Sequence, residues 1–315
     1  MYINSMGSYV PAQRIGNDYF TAINGKSSEW MEQRTGIRTR SKAAENENHN
    51  TMGIEAVRDA LKNLQYPVQD VDLIVSAAYS PLDLVATLAH EAQREFEIDG
   101  AKALYCSSAC SSFINGLEIV EGYFAMGKAT KALIISSEHN TYYSNEQDTK
   151  SGHLWGDAAV AWFISKERQS PTDWKIDTIF TQGLGNIGKG PDGVKLRPRE
   201  YGISMPDGRD VFIHACRYMI YSLDKALGQL GINRSDIGHF ICHQANKRIV
   251  AQVAHQLDLL MESFYNNIEE LGNTGSASAA LVLTQNADNI KPEEKVALMV
   301  FGGGYSCGCF IVTKP

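Results

Sequence analysis

The chain has 315 residues, 43% hydrophobic and 21% charged, with a formal net charge of −7. That length can bury a large core in one double-sized domain or two packed ones, and the composition is ordinary for a globular protein. The acidic balance gives no whole-molecule field for nucleic acid or an acidic membrane surface. No apolar run approaches membrane-spanning length, and Met1-Tyr2-Ile3-Asn4-Ser5 lacks the charged and apolar regions of a secretion signal.

In chain order the elements read as one pattern written twice. A helix predicted from Met52 to Leu64 leads to a short apolar strand, Val71 to Ala77, and a second helix, Ala86 to Phe96. A small-residue segment carrying Cys110 then opens an apolar helix, Phe113 to Met126, followed by strands at Ala132 to Ser137 and Ala158 to Ile164. The second round runs from a helix at Val211 to Leu230 through a strand at Ile237 to Cys242 and a helix at Lys247 to Leu259. A segment carrying Asn273 opens the next helix, Ala279 to Ala287. Strands at Val296 to Phe301 and Cys309 to Thr313 close it. Short apolar runs between turns are the signature of buried parallel strands. Phe113, Leu117, Val120 and Phe124 recur at helical spacing, and Ile114, Ile119 and Tyr123 widen the stripe nearly all round, which predicts a central buried helix. Alternating helices and buried strands, twice, predict a layered α/β architecture with halves at 1–168 and 169–315 forming one compact unit. Cys110 and Asn273 would then sit at related positions near a pseudo-twofold axis.

Four segments carry chemistry. Cys110 lies among small residues directly before a helix, where the positive end of the helix dipole favours the nucleophilic thiolate. His243, in Ile241-Cys242-His243-Gln244-Ala245-Asn246, and Asn273, in Leu271-Gly272-Asn273-Thr274-Gly275, each fall between a strand-like and a helix-like run. A nucleophilic thiol needs a base and a group that steadies negative charge, and such partners converge in space rather than in sequence. Phe301-Gly302-Gly303-Gly304 offers unshielded backbone N–H groups, as an oxyanion hole requires. Taken singly, each residue reads equally well as a core or turn residue; all four at strand ends in one chain do not.

Two other patterns exclude chemistries. Cys106 with Cys110, and Cys307-Gly308-Cys309, have chelating spacings, but no further Cys/His cluster completes a zinc set, so no metal is expected. Gly183-Leu184-Gly185-Asn186-Ile187-Gly188 matches a dinucleotide fingerprint by letter, yet Lys189-Gly190-Pro191-Asp192-Gly193 cannot open the required helix. The six cysteines show no regular disulfide framework and read as thiols in a reducing cytoplasm.

End to end, the chain resembles the thiolase-fold β-ketoacyl-[acyl carrier protein] synthase III family. Ser28-Glu29-Trp30-Met31-Glu32-Gln33-Arg34-Thr35-Gly36-Ile37-Arg38 matches the family's early signature. Cys110, the His243-Gln244-Ala245-Asn246 run, Gly272-Asn273-Thr274 and Gly302-Gly303-Gly304 follow in family order, and Gly156-Asp157-Ala158 resembles its Gly-Asp-Gly turn. The resemblance implies a thiolase-like αβαβα fold and a two-step decarboxylative Claisen condensation. Cys110 would take an acyl group from a coenzyme A thioester, and malonyl-acyl carrier protein would lose carbon dioxide and attack it to give a 3-oxoacyl product. His243 and Asn273 would donate hydrogen bonds to the thioester oxygen that gains charge, and the N–H groups of Cys110 and Gly303 would form the oxyanion hole. The same resemblance assigns Trp30 and Arg34 to the adenine end of coenzyme A, Arg248 and Asn246 to the pantetheine tunnel, and Val85 to the acyl pocket. It implies a homodimer, no cofactor beyond the coenzyme A thioester as substrate, and no nucleic-acid or membrane partner.

Departures from the family pattern lie at the periphery. Val250-Ala251-Gln252-Val253-Ala254-His255-Gln256 lacks the lysines of the usual carrier-docking helix. Ile213 stands at another typical lysine, with Arg217 one turn on, and Leu271 replaces a histidine. Lys150 stands near a missing arginine, and Val85, smaller than the usual phenylalanine, would leave a roomier acyl pocket. These favour, as alternatives, a specialised relative that joins longer or β-keto acyl chains (dialkylresorcinol or pyrone type) or an acyl transferase. A catalytically silent heterodimer subunit is the remaining alternative, although such subunits typically lose the cysteine or histidine.

Overall fold

The computed structural model describes residues 1–315. Nine strands form the main sheet: β1 (Tyr2–Tyr9), β2 (Leu73–Ala77), β3 (Lys102–Cys106), β4 (Lys131–Glu138), β5 (Ala158–Ser165), β6 (Trp174–Gly183), β7 (His239–Cys242), β8 (Lys295–Gly302) and β9 (Ser306–Thr313). Their order across the sheet is β7-β8-β9-β6-β1-β5-β4-β2-β3. Outwards from the centre, β1-β5-β4-β2-β3 on one side is echoed by β6-β9-β8-β7 on the other. Orientation repeats too: the first two pairings of each half are antiparallel, whereas β2 with β4 and β7 with β8 are parallel. The halves join where Tyr2 and Ile3 of β1 meet Lys175 and Trp174 of β6.

The principal helices are α1 (Ser28–Thr35), α2 (His49–Leu61), α3 (Leu88–Glu95), α4 (Ser112–Ala125), α5 (Gly208–Leu230), α6 (Lys247–Leu257) and α7 (Ser278–Asn286). Residue alternation along each strand sorts them into layers. Leu73, Val75 and Ala77 of β2 face a central core shared with Phe113 and Leu117 of α4 and Val282 and Leu283 of α7. Ile74, between them, faces the opposite side, against Met52 and Val57 of α2 and Leu88 of α3. In the second half, Met299 of β8 and Phe240 of β7 pack outwards on Met219 of α5 and Val253 of α6. The layers are therefore helix, half-sheet, helix, half-sheet, helix, the two halves of the one sheet flanking α4 and α7 in the middle. Both faces of the inner strands are covered, which is why they read as continuous apolar runs.

Three strands escape a reading by apolar periodicity. β1 carries buried Asn4 and Ser5, which break the apolar pattern; Asn4 Nδ2 donates to Asp173 and Ser165 at 2.8 Å each. β6 loses its polar/apolar alternation where its pairing with β9 shifts register between Ile176 and Thr178, and β3 is an edge strand paired only with β2. The glycine-rich run after β6 continues as turns and a short 3-10 turn, Gly190–Asp192.

Candidate active site

β3 ends at Cys106 and the chain turns sharply through Ser107-Ser108-Ala109 into α4. Ala109 adopts φ 51°, a left-handed conformation that costs a residue with a Cβ about 1–2 kcal/mol. Serines hold the turn: Ser108 N–H donates to Ser112 Oγ at 2.8 Å, the Ser112 hydroxyl to the Ala109 carbonyl at 2.6 Å, and the Ser111 hydroxyl to the Ser108 carbonyl at 2.7 Å. Cys110 is thereby fixed at the base of the central helix. Gly302 and Gly303, at the end of β8, come in over it from the other half. A Cβ on Gly302 would stand 2.8 Å from the Ser108 carbonyl oxygen and 3.1 Å from the Cys110 nitrogen, so this approach requires glycine.

His243 follows β7, its N–H bonded to the Met299 carbonyl at 2.7 Å. Asn273 precedes α7. Its Oδ1 accepts from Gly275 N–H at 3.0 Å, its own N–H donates to the Leu154 carbonyl at 2.8 Å, and its carbonyl accepts from Gly156 N–H at 3.0 Å. With Oδ1 committed, the Asn273 Nδ2 group is left as the free donor. Cys110, His243, Asn273, Gly302 and Gly303 all line one narrow cavity, walled by Trp155 and Met205. Its volume is about 20 Å³, the room of a single water.

Electrostatics here are governed by desolvation. Burial pushes the Cys110 thiol up to about 12, with the Glu138 carboxylate adding to the shift; the N–H groups of Gly303 and Cys110 and the Tyr79 hydroxyl oppose it. Burial likewise holds the His243 imidazole down to about 4, opposed by the Gly275 carbonyl. The resting pair is a neutral thiol beside a neutral imidazole. The thiolate expected from the start of α4 is therefore not the resting state, because desolvation of the sulfur outweighs the helix dipole.

Trp30 and Arg34 share a face of α1, the guanidinium carbon 5.7 Å from the ring centroid, with Lys26 Nζ at 5.1 Å. The Trp30 ring also meets His153 edge-on at 5.6 Å. Helices α1 and α6 adjoin: a Cβ on Gly36 would stand 2.5 Å from Lys247 Cβ. Arg248 is exposed on α6, its guanidinium 6.0 Å from the Phe212 ring centroid. Asn246 caps α6, its Oδ1 accepting from Ile249 N–H at 3.1 Å.

Two family models match the chain. One, described as 3-oxoacyl-[acyl-carrier-protein] synthase III, covers residues 106–181 and so contains Cys110. The other, its C-terminal counterpart, covers 227–314 and contains His243, Asn273 and Gly303. The β-ketoacyl-[acyl-carrier-protein] synthase III of Deinococcus deserti is 32% identical over 96% of this chain and 88% of its own. The chain belongs to the β-ketoacyl-[acyl carrier protein] synthase III family. Among solved structures, the synthase III of Thermus thermophilus superposes with a TM-score of 0.92 at 28% identity, covering 100% of this chain and 99% of that one. The priming β-ketosynthase of the R1128 polyketide pathway gives 0.89 at 25% identity, over 99% and 96%.

One assignment made for this synthase III chain from the resemblance needs correction. Val85 is not among the residues lining the cavity in the single chain: it is 86% exposed, on a loop with exposed Leu82 and Leu84. The roomier acyl pocket inferred from it is not seen, and the cavity is narrow. Ile213 is exposed on α5 and Arg217 lies exposed one turn on, whereas Leu271 is buried against Ala158 and Leu281. Lys150 Nζ reaches the Pro206 carbonyl at 3.2 Å.

Residue pattern alone missed several site-building groups. Gln244 clasps the histidine loop to the asparagine loop, its Oε1 accepting from Asn267 N–H at 2.9 Å and Ile268 N–H at 3.0 Å. Arg40, fully buried, ties Asn17 to the His153 carbonyl. Glu138, fully buried at the end of β4, accepts from the hydroxyls of Ser276 and Ser80 and from Tyr79 N–H. Only the Gln244 position, inside the histidine motif, carried a sequence signal.

Proposed function

We propose that this chain is an acyl-thioester condensing enzyme that acylates Cys110 and extends the acyl group with malonyl-[acyl carrier protein] to a 3-oxoacyl product. The observation that carries this reading is the convergence of Cys110, His243, Asn273 and the Gly303 N–H on one cavity. In the first step the Cys110 sulfur attacks the donor thioester carbonyl. Its proton passes through the neutral His243 imidazole to the departing coenzyme A or carrier thiolate. The N–H groups of Cys110 and Gly303 hold the oxyanion of the tetrahedral intermediate. In the second step the C–C bond to the malonyl carboxylate breaks and carbon dioxide leaves. The electron pair shifts onto the thioester oxygen, where His243 N–H and Asn273 Nδ2 receive it. A neutral histidine with its pKa held to about 4 is a donor of this kind, and an asparagine does not repel the enolate as a carboxylate would. The carbanion then attacks the acyl-cysteine, and the expelled thiolate takes up a proton. The chemistry uses protein groups and thioester substrates only.

Trp30, Arg34 and Arg248 would receive the adenine and phosphate end of a coenzyme A donor, by stacking and charge pairing. We infer a homodimer located in the cytoplasm. Support for the dimer comes from the exposed Leu82, Leu84 and Val85 and from β3, whose outer edge is unpaired. No helix is long and apolar enough to cross a membrane.

Intact-protein mass spectrometry with acyl-coenzyme A donors, followed by malonyl-carrier addition, tests the assignment. Cys110→Ala should show no acyl adduct. Asn273→Ala should still form the adduct but fall at least about 100-fold in condensation, the scale of losing one preorganised donor. Normal condensation by Asn273→Ala would refute the role given to that side chain.

A further inference from the structure

Gly302 and Ser306 pair at the end of the β8–β9 ladder, so Gly303, Gly304 and Tyr305 form the loop of a hairpin. This loop carries the oxyanion donor of the site: Gly303 lines the cavity beside Cys110, and its N–H acts on the thiol. Two of the three loop residues are glycine, with no side chain to anchor them, so the loop by itself does not fix where that N–H points. Tyr305 is the third. It adopts φ 33°, in the left-handed region that such a hairpin ordinarily gives to glycine and that bulky side chains avoid. A residue in that conformation persists only where its surroundings over-determine it, and such residues gather at functional sites.

What holds Tyr305 is its far end. The side chain is buried, and its Oη donates to Asp210 Oδ2, in the first turn of α5, at 2.5 Å. A phenol-to-carboxylate bond is charge-assisted, and therefore short and directional. The same Asp210 oxygen accepts from Lys189 N–H at 3.0 Å, and the Tyr305 carbonyl accepts from Leu184 N–H at 2.8 Å, so the stretch after β6 is tied in as well. That stretch lies on the ring: a Cβ on Gly193 would stand 2.5 Å from a Tyr305 ring carbon. The next residue, Val194, lies against Gly303, where a Cβ would stand 2.9 Å from Val194 Cβ. Ser306 closes the other side, its Oγ 2.5 Å from Ser111 Oγ at the start of α4. A phenylalanine ring would fill the same space, so what the hydroxyl adds is the bond to Asp210. We propose that the Tyr305 hydroxyl, through Asp210, is a positioning group: it pins the glycine loop so that Gly303 N–H stays aimed at the oxyanion formed when Cys110 attacks a thioester. A preorganised donor stabilises that charge only while it cannot turn away. The inference rests on the condensing-enzyme reading above.

The test uses Tyr305→Phe, which removes one oxygen and keeps the ring. Acylation of Cys110 is followed in single turnover by intact-protein mass spectrometry with acetyl-, hexanoyl- and decanoyl-coenzyme A, taking the donor that loads wild type fastest. The maximal rate should fall about tenfold or more while the half-saturating donor concentration stays within about twofold, since the loss is confined to the transition state. Iodoacetamide alkylates Cys110 by displacing iodide at a saturated carbon and forms no oxyanion, so its rate should stay within about twofold of wild type. In an Asp210→Ala background, Tyr305→Phe should cause no further fall, because the two groups act as one unit. Three results would overturn the proposal: an unchanged acylation rate, an equal fall in acylation and alkylation, or a full further fall in the Asp210→Ala background. The second would mean a residue that merely shapes the cavity, the third a hydroxyl acting by another route. Wild type that is alkylated by iodoacetamide yet acylated by none of the three donors would instead overturn the condensing-enzyme reading.

Discussion

Cys110 owes its position to Ala109, held left-handed by the serine bonds on either side of it, and its chemistry to burial. A cysteine before a helix reads as an activated thiolate when only the sequence is available. The structure encloses the sulfur, and with a thiol pushed up to about 12 and an imidazole held down to about 4, the proposed attack would carry its proton transfer with it rather than follow it. Two consequences are measurable. Iodoacetamide should alkylate Cys110 slowly at pH 7, its rate still rising at pH 9; a plateau below pH 8 would mean a resting thiolate. The acid limb of the acylation rate should lie near pH 4 to 5, because His243 stays neutral far below the 6.5 of a free histidine. A limb centred at 6.5 would place the imidazole in water rather than in the closed cavity.

Elements hold these residues through close approaches that sequence periodicity does not report. β1 lies on α2 so tightly that a Cβ on Gly7 would fall 2.1 Å from the Ala60 nitrogen and 2.4 Å from the Ala56 carbonyl oxygen. Both obstacles are backbone, so neither can swing aside. Gly7→Ala should therefore cost about 1–3 kcal/mol, read as a lowered urea midpoint, although the residue is far from Cys110. An unchanged midpoint would show that strand and helix can separate freely. The helices were largely legible: α4 and α7 lie within a residue or two of the expected spans because their apolar stripes are wide. β1 was not, since its buried polar residues are satisfied by groups distant in sequence: Asn4 by Asp173 and Ser165, and Ser5 by the Ala60 carbonyl.

Across the whole molecule, the central core draws on strands of both halves as well as on α4 and α7. Neither half can expose its share without exposing the other's, so calorimetry should record a single unfolding transition; two resolved transitions would mean independent halves. Acid stability is set by buried histidines. Burial holds His49 down to about 3 and His153 to about 4, and both His49 ring nitrogens lack partners. The unfolded chain therefore binds these protons first, from about pH 6.5 downward. Stability is fully present above that pH and falls as the pH drops towards 3. For His49 alone the loss at pH 4 is about 3 kcal/mol. His49→Leu should be distinctly less acid-sensitive than wild type when urea midpoints at pH 7 and pH 4 are compared; equal sensitivity would exclude His49 as the titrating group. Glu138, lifted to about 7, acts in the opposite direction between pH 4.5 and 7.

By itself the sequence determined the twofold α/β pattern and the central helices, and it singled out Cys110, His243, Asn273 and Gly303 as candidates, because these depend on local periodicity and on residue types at strand ends. Only tertiary structure decided that those residues line one cavity, that desolvation outweighs the helix dipole at the sulfur, and that Val85 lies exposed outside the cavity lining. Burial and proximity are properties of several segments at once, and no single segment encodes them.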